Sequence, residues 1–423
     1  MVTPLRGGAP LRPSRPLTRR VAASLLALAA ALTAACGDTG STGAAGDGPG
    51  GASAPAADTG RNPAGCVEGA EPGDDLFPDR FAIRHAENLS LSYHGTYKVV
   101  RVAEPSPGAG DRVYVLAQCG TEPPPLEGEL AEATVVEVPV RSLFTESTSH
   151  LGFADELGIA GAVTGVMDGE LVVTPSVRER VDAGAVTSFA PGGVIDTERV
   201  IAEDPDVYVT AGTEDAAHEV LTEAGVPVVA AADWLETSPQ AWSEWIALFA
   251  ALTNTEARAT RFHERLVADY EAAAELVADV APAERPTVIT GSLFEGEWNA
   301  QGGAGIVPRF IADAGGDYVY ADDPSTGTLV LDIEAVLADA RDADVWLSPL
   351  GDFGSRAEAV AADERYGRFA AWERGGVWAN DDPDLLERGP VAIDEYLLDY
   401  IAILHPDRAP EHELVFFRRV PEG

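Results

Sequence analysis

The chain has 423 residues, and its 69 acidic and 29 basic side chains give a formal net charge of -40 at pH 7. A surface with this charge repels phosphate backbones and anionic lipid head groups, which excludes binding to nucleic acid. Because 46% of the residues are hydrophobic and the acidic residues are interspersed among them, the composition predicts a globular protein with a large core, and the length allows two domains.

Residues 1–35 have the layout of a secretory signal peptide. Two basic residues precede an apolar run over residues 21–32, and small residues lead to Cys36. The apolar run is shorter than the roughly twenty residues that a membrane-spanning helix needs, so no permanent transmembrane anchor is expected. Small residues before a cysteine resemble the lipobox of bacterial lipoproteins, in which Cys36 becomes the lipidated first residue. The alternative is an ordinary signal peptide cut near Ala35.

Residues 36–75 are predicted to be a flexible tether. They are mainly Gly, Ala, Ser, Thr, Pro and Asp, with few large apolar side chains. Such a segment buries too little apolar surface to offset the entropy lost on ordering. A flexible chain of this length spans roughly 30–40 Å, which would let a globular body move beside the membrane while Cys36 stays anchored.

Cys66 and Cys119 are the two cysteines that remain. In an exported protein an even pair is expected to oxidise, so the sequence predicts one disulfide between them. The alternative is two buried thiols.

Residues 76–238 are predicted to form an N-terminal α/β lobe with a leading β-meander. Alternating apolar residues over residues 89–115 indicate short antiparallel strands with a turn at His94 and Gly95. After three consecutive prolines, short apolar strands separated by helical stretches are typical of a parallel α/β sheet. Those strands are predicted at residues 134–140, 159–166, 207–210 and 226–230.

Residues 239–285 contain the longest helical pattern, with an interruption near Thr253 and Asn254. Apolar residues from Phe262 to Val280 recur at helical spacing, which indicates one packed face. Strand and helix patterns then restart over residues 286–423, which are predicted to form a C-terminal α/β lobe. The expected fold is therefore α/β, with two Rossmann-like lobes bridged by a single long helix.

The sequence contains no recognisable catalytic motif. Gly-x-Ser-x-Gly, the phosphate-binding P-loop and His-Glu-x-x-His are all missing, and the seven histidines are scattered. We therefore expect no enzyme, no metal site and no cofactor.

Several segments together resemble one family. They are residues 87–100, 233–239 with 243–245, 301–303 leading to 313–318, and 405–406. In order and spacing they are similar to the substrate-binding lipoproteins of ABC importers, in the branch that serves ferric siderophores and cobalamin. The resemblance covers roughly residue 80 to the C-terminus. It implies two lobes joined by a rigid helix, a ligand held in the cleft between them, and little hinge motion.

The resemblance also implies the protein's role and location. The protein would be a monomeric receptor on the outer face of the cytoplasmic membrane, in contact with the membrane only through its lipid anchor. It would capture an iron complex or cobalamin and deliver it to a membrane permease. Two other classes stay open: an exported enzyme similar to the two-lobed metal chelatases, and a surface lipoprotein that binds another protein.

Loops at the carboxyl ends of the strands should line such a cleft. Phe189 and Trp298 would stack on a corrin or catecholate ring, and Arg309 would pair with an anionic ferric chelate. The scarcity of Arg and Lys near these loops leaves a neutral chelate, cobalamin or another iron complex open. The full set of candidate ligand-binding residues is His150, Phe189, Trp298, Gln301, Arg309 and Tyr320.

Members of this family carry an acidic residue on each lobe that docks onto arginines of the permease. By position, the matching candidates are Glu214 or Asp215 on the first lobe and Glu334 on the second. The alternative is that each is a solvated acid at the start of a helix, where the helix dipole favours negative charge.

Overall fold

The computed structural model describes residues 58–71, 73–106, 108–348, 353–380 and 384–422. The predicted signal peptide, Cys36 and residues 36–57 of the predicted tether lie outside these residues. Within the described ranges, no helix is both long and apolar enough to cross a membrane.

The tether prediction is wrong from residue 58 onward, because this segment packs on the folded body. The amide of buried Asn62 donates to the backbone oxygen of Asp79 at 2.8 Å and to the carboxylate of Glu256 at 2.9 Å. A disulfide joins Cys66 to Cys119. A few specific polar contacts and one covalent link therefore order a segment whose composition offers little apolar burial.

The first sheet has four strands: β1 (Leu89–His94), β2 (Tyr97–Val102), β3 (Arg112–Gln118) and β4 (Thr134–Val138). Strands β1 to β3 are antiparallel neighbours, as a meander requires. Gly95 makes the first turn with φ of 58°, and a Cβ there would lie 2.9 Å from the carbonyl oxygen of Asp74. Strand β4 pairs in parallel with β3, so this strand, predicted for the α/β sheet, belongs instead to the meander sheet.

The N-terminal lobe contains a five-stranded parallel sheet in the order β7-β6-β5-β8-β9. Its strands are β5 (Leu143–Thr145), β6 (Val163–Val166), β7 (Thr187–Ser188), β8 (Val207–Thr210) and β9 (Val228–Ala230). Its helices are α1 (Ser149–Leu157), α2 (Pro175–Asp182), α3 (Thr197–Glu203) and α4 (Ala216–Glu223). Because the strands are parallel, their carboxyl ends meet at one edge of the sheet.

Three helices connect the lobes: α5 (Pro239–Glu244), α6 (Ile246–Thr253) and α7 (Glu256–Glu275). The predicted interruption is present, since Asn254 ends α6 with φ of 59°. Along α7, Ala259 packs in the N-terminal core, Leu266 and Tyr270 pack in the C-terminal core, and Phe262 contacts both. Helix α7 therefore bridges the lobes by sharing its apolar face between two cores.

The C-terminal lobe combines a mixed sheet of order β13-β10-β15-β16-β17, parallel except at β17, with an antiparallel sheet of order β11-β12-β14. Its strands are β10 (Thr287–Thr290), β11 (Ser292–Phe294), β12 (Glu297–Gln301), β13 (Asp317–Tyr318), β14 (Thr328–Leu331), β15 (Val345–Ser348), β16 (Val377–Ala379) and β17 (Arg418–Arg419). Its helices are α8 (Ile306–Asp313), α9 (Ile333–Ala340), α10 (Arg356–Ala362), α11 (Asp384–Arg388) and α12 (Ile393–Leu404). The predicted fold class, two α/β lobes joined by a long helix, is confirmed.

A buried polar network fixes the meander sheet to the bridging helix. Lys98 of β2 forms an ion pair with Glu256, the first residue of α7, and both side chains are fully buried. The ammonium also donates to the backbone oxygen of Ala251 and to the side-chain oxygen of Asn254, both at 2.7 Å. Since Asn62 donates to the same glutamate, the network joins the N-terminal segment, β2 and α7.

Candidate functional site: the cleft between the lobes

The carboxyl ends of the N-terminal strands open into a cleft of 770 Å³ that both lobes line. From the N-terminal lobe come residues 145–149 at the end of β5, residues 166–168 at the end of β6 and Trp234 after β9. Trp242 on α5 forms part of the wall, and α8, α11 and α12 close the opposite side. This volume falls within the range of roughly 300–1,000 Å³ that is typical of small-molecule sites.

The cleft is mainly apolar and carries only negative charge. Among its described lining residues the charged side chains are Glu146, Asp168 and Asp233, and none is Lys or Arg. The apolar and aromatic lining includes Leu151, Val166, Met167, Leu171, Trp234, Trp242, Ile306, Val307, Phe310, Leu385, Leu386 and Tyr396.

Glu146 follows β5 and is held by three donors. Its carboxylate accepts from the hydroxyl of Tyr208 at 2.8 Å and from the backbone amide of Ala211 at 3.0 Å, and it contacts the Nε2 atom of His218 at 2.5 Å. This negative charge, after burial itself, raises the pKa of Tyr208. Glu146 therefore ties the end of β5 to the end of β8 and to α4, and its oxygens are committed to protein groups.

Asp233 is 4% exposed, and its Oδ2 atom accepts a hydrogen bond from the indole N–H of Trp242 at 2.9 Å. Burial raises the pKa of Asp233 to about 6, and the negative charge of Glu236 adds to this rise. The Trp242 indole and the hydroxyl of Ser149 oppose it by donating to the carboxylate. The Nε2 atom of His150 lies 3.9 Å from Oδ1 of Asp233, which is too far for a hydrogen bond.

His150 begins the buried face of α1 directly beside the cleft. Its Nδ1 atom is in hydrogen-bond contact with the hydroxyl of Thr145, whereas its Nε2 atom has no partner in the described structure. Burial lowers the pKa of His150 to about 3, so the imidazole is neutral at pH 7.

Two glutamates near Asp233 anchor the meander sheet. Glu236 accepts from the backbone amides of Glu87 and Asn88 at 3.0 and 3.1 Å, and from the indole N–H of Trp245 at 2.9 Å. Glu244 accepts from three consecutive backbone amides at 2.7–2.8 Å, those of residues 84–86. The segment entering β1 is thus fixed to the same stretch of chain that lines the cleft.

One hydrogen-bonded contact joins α11 of the C-terminal lobe to the start of α2 in the N-terminal lobe. Glu387 on α11 accepts from the backbone amides of Val173 and Thr174 at 2.9 and 2.5 Å, and also from the Thr174 hydroxyl. Thr174 is the N-cap residue of α2, where amide groups lack partners within the helix. A carboxylate from one lobe therefore satisfies a helix start on the other.

The profile of the periplasmic binding protein family matches residues 147–382, more than half of the chain. The chain is a member of this family. The resemblance that the sequence carries is thereby confirmed, and the matched range contains every cleft segment except those at Thr145, Glu146, Leu385, Leu386 and Tyr396.

Two proteins of Methanocaldococcus jannaschii, both named uncharacterized lipoproteins, are similar to this chain. One is 25% identical over 297 residues (67% of this chain and 69% of the relative), and the other is 23% identical over 339 residues (77% and 83%).

Three solved structures show the same fold. A periplasmic binding protein from Veillonella parvula has a TM-score of 0.57 at 12% identity, covering 74% of this chain and 99% of the other. A periplasmic heme binding protein from Pseudomonas aeruginosa has a TM-score of 0.52 at 16% identity, covering 67% and 100%. A triscatecholate siderophore binding protein from Bacillus subtilis, complexed with ferri-bacillibactin, has a TM-score of 0.52 at 14% identity, covering 64% and 94%.

Two of the aromatic ligand residues predicted for this periplasmic binding protein are in its core. Phe189 is fully buried and stacks on Phe144, with ring centroids 5.5 Å apart. Trp298 is also fully buried, and its indole N–H donates to the backbone oxygen of Thr290 at 3.0 Å. The prediction that these rings stack on a ligand is wrong, because both are enclosed by their own lobes.

The other four candidates differ in where they lie. Gln301 lines the cleft, and His150 lies behind Asp233. Arg309 lies outside the lining and pairs with Asp313 one turn along α8, at 2.9 Å, so its predicted pairing with a chelate in the cleft is wrong. Tyr320 is also outside the lining, and its hydroxyl is buried without a partner in the described structure, so its contact with a ligand stays a prediction.

The cleft contains aromatic residues that the sequence reasoning missed. Trp234 lies in residues 233–239, which carry the family resemblance, and Trp242 directly precedes residues 243–245, which also carry it, so a signal pointed to this stretch. Phe310 on α8 and Tyr396 on α12 carried no such signal, because only the packing of the lobes decides which helix face meets the cleft.

The predicted docking acids are exposed, and they also lie at helix starts, as expected for the alternative of solvated acids favoured by the helix dipole. Asp215 is the N-cap residue of α4 and accepts from the amide of Ala217 at 2.8 Å, with Glu214 beside it. Glu334, in the first turn of α9, pairs with Arg368 at 3.0 Å. Within the described ranges, no group of three or more His, Cys, Asp or Glu side chains is placed to hold a metal ion.

Proposed function

We propose that this protein is the solute-binding receptor of an ABC importer and captures an iron complex or cobalamin in the cleft between its lobes. It delivers this solute to a membrane permease and catalyses no reaction of its own. The observation that carries the proposal is the 770 Å³ cleft, which both lobes line and which is mainly apolar.

The cleft chemistry narrows the solute within these classes. Aromatic and aliphatic walls suit the large organic surface of a metal complex or a corrin ring. With carboxylates in the lining and no described basic side chain, an anionic chelate would meet like charge in a desolvated site. Proteins of the same fold are named for heme and for ferri-bacillibactin, which supports a metal complex as the cargo class.

Location and delivery complete the proposal. A lipid on Cys36 would hold the receptor at the outer face of the cytoplasmic membrane, and the two Methanocaldococcus relatives are named lipoproteins. Glu214 or Asp215 on one lobe and Glu334 on the other would dock on the permease, and their exposure supports this role. A membrane partner that contacts both lobes could then control release of the solute.

The test is quenching of tryptophan fluorescence in the exported chain carrying Cys36→Ser, which leaves no lipid on the protein. Trp234 and Trp242 line the cleft, so a bound chromophore lies beside two reporters. Ferric hydroxamates, ferric catecholates, heme and cobalamins are titrated, with N-acetyltryptophanamide as the control for light absorption by each compound. Saturable sub-micromolar quenching by one class is expected, and no response from the folded protein would contradict the proposal.

A further inference from the structure

Among the described carboxylates of the cleft, Asp233 is the buried one whose side-chain donors, Trp242 and Ser149, are all neutral. Glu146 is committed to three protein donors. Asp168 is partly exposed and accepts from the amide of Glu170 at 3.0 Å. Asp233 is 4% exposed and lies in the lining of a mainly apolar cavity.

Among the residues that the structure describes, no cationic side chain contacts the carboxylate of Asp233. The side chains that act on its carboxylate are Trp242, Ser149 and Glu236, and none of them is cationic. The imidazole of His150 is neutral, and its Nε2 atom points to the carboxylate from 3.9 Å without a partner of its own. A buried polar atom without a partner, Nε2 of His150, thus lies beside a carboxylate whose two side-chain donors, Trp242 and Ser149, are both neutral.

Such an arrangement costs folding free energy unless another molecule completes it. A buried carboxylate gains most from a charge-assisted hydrogen bond, in which the donor is a cationic N–H group. The aliphatic and aromatic remainder of the lining suits an apolar body on the same molecule.

We propose that the bound solute is a mainly apolar molecule with a cationic N–H group, and that the carboxylate of Asp233 accepts a hydrogen bond from this group. The inference rests on the receptor function proposed above and narrows its ligand class. It makes Asp233 a specificity-determining residue of the cleft, one that selects against anionic chelates.

A matched probe pair tests this directly. Ferrioxamine B and its N-acetylated form are ferric hydroxamates of the same framework, and only the first carries an ammonium group. The Kd of each is measured by tryptophan quenching for the Cys36→Ser chain, for its Asp233→Asn variant and for its Asp168→Asn variant. Asparagine keeps the shape of aspartate and an acceptor for Trp242, and Asp168→Asn removes one negative charge from the same cleft as a control.

The parent protein should bind the ammonium form roughly ten- to a hundredfold more tightly than the acetylated form, the range expected for a hydrogen bond to a charged group. Asp233→Asn should remove this preference without weakening binding of the acetylated form, whereas Asp168→Asn should retain it. Circular dichroism establishes that each variant is folded. If Asp233→Asn does not fold, the ratio of the two Kd values for the parent protein still tests whether the cleft prefers a cationic ligand.

The failures of the two proposals are distinguishable. Equal binding of both forms, tighter binding of an anionic ferric triscatecholate, or an equal loss of preference in Asp168→Asn overturns the inference and leaves the receptor function standing. If no iron complex, heme or cobalamin binds the folded protein, the proposed function fails and the inference fails with it.

Discussion

Replacing Lys98 with Met should destabilise the protein strongly, because the ammonium of Lys98 is fully buried in an ion pair with Glu256. Lys98 is the sole lysine of the chain, and its ammonium has three buried partners: Glu256, Asn254 and the backbone oxygen of Ala251. Lys98→Met leaves the carboxylate of Glu256 buried, and among the described residues its remaining side-chain donor is the amide of Asn62. Breaking a buried ion pair in this way costs about 3–5 kcal/mol.

The corresponding change in Tm follows from the size of the folded body. Unfolding entropy of about 2.1 cal/mol/K per residue over residues 58–422 converts this cost to a Tm lowered by about 4–7 °C, measurable by circular dichroism. The control is the double variant Lys98→Met with Glu256→Gln, which removes both charges and should recover most of the loss. A Tm for Lys98→Met within about 1 °C of the parent would show that the pair is not the stabilising element described here.

Glu387→Ala should lower hydrogen-exchange protection of the amides that it holds across the lobes, whereas Glu395→Ala, which removes an exposed ion pair with little stabilising effect, should not. Because the pKa of Asp233 is raised to about 6, its charged form opposes folding above that pH, so Asp233→Asn should stabilise the ligand-free protein at pH 8 by up to about 3 kcal/mol and not at pH 4. For the same reason, ferrioxamine B should bind the parent protein more weakly below pH 6. Replacing Cys66 and Cys119 with Ser opens a link across 53 residues and should cost about 4 kcal/mol in chemical denaturation.

Local sequence patterns predicted which segments are strands and helices better than they predicted which strands pair. Alternation identified the meander, and helical spacing identified α7, because both patterns record one buried face. The same reasoning placed residues 134–138 in the wrong sheet, since a run of valines does not specify its neighbour. Strands β5 and β7 span only residues 143–145 and 187–188. The sequence analysis predicts no strand at either place, because two or three residues are too few to show an alternating pattern.

The ordered segment after residue 58 shows a different limit. Its composition predicts a tether, and by apolar burial alone that expectation is sound. The structure orders it through Asn62, the disulfide and an ion pair between Arg61 and Asp79. Burial alone would raise the pKa of Asp79, but the hydrogen bonds and the charge of Arg61 outweigh it and lower this pKa. Partners so distant in sequence leave no local pattern to read.

The site shows why an aromatic residue near a strand end is weak evidence for ligand contact. Trp298 satisfies its indole N–H inside its own lobe, whereas the indole of Trp242 donates to a carboxylate that lines the cleft. Residues 233–239 and 243–245 carry the family resemblance, yet the stretch that contains them serves two tasks. Glu236 and Glu244 hold the amides leading into β1, while Asp233, Trp234 and Trp242 form the cleft wall. These residues alternate along one short stretch, so losing the hydrogen bonds of Glu236 and Glu244 would also move the cleft residues beside them. The position of Asp233 therefore depends on contacts that no ligand makes.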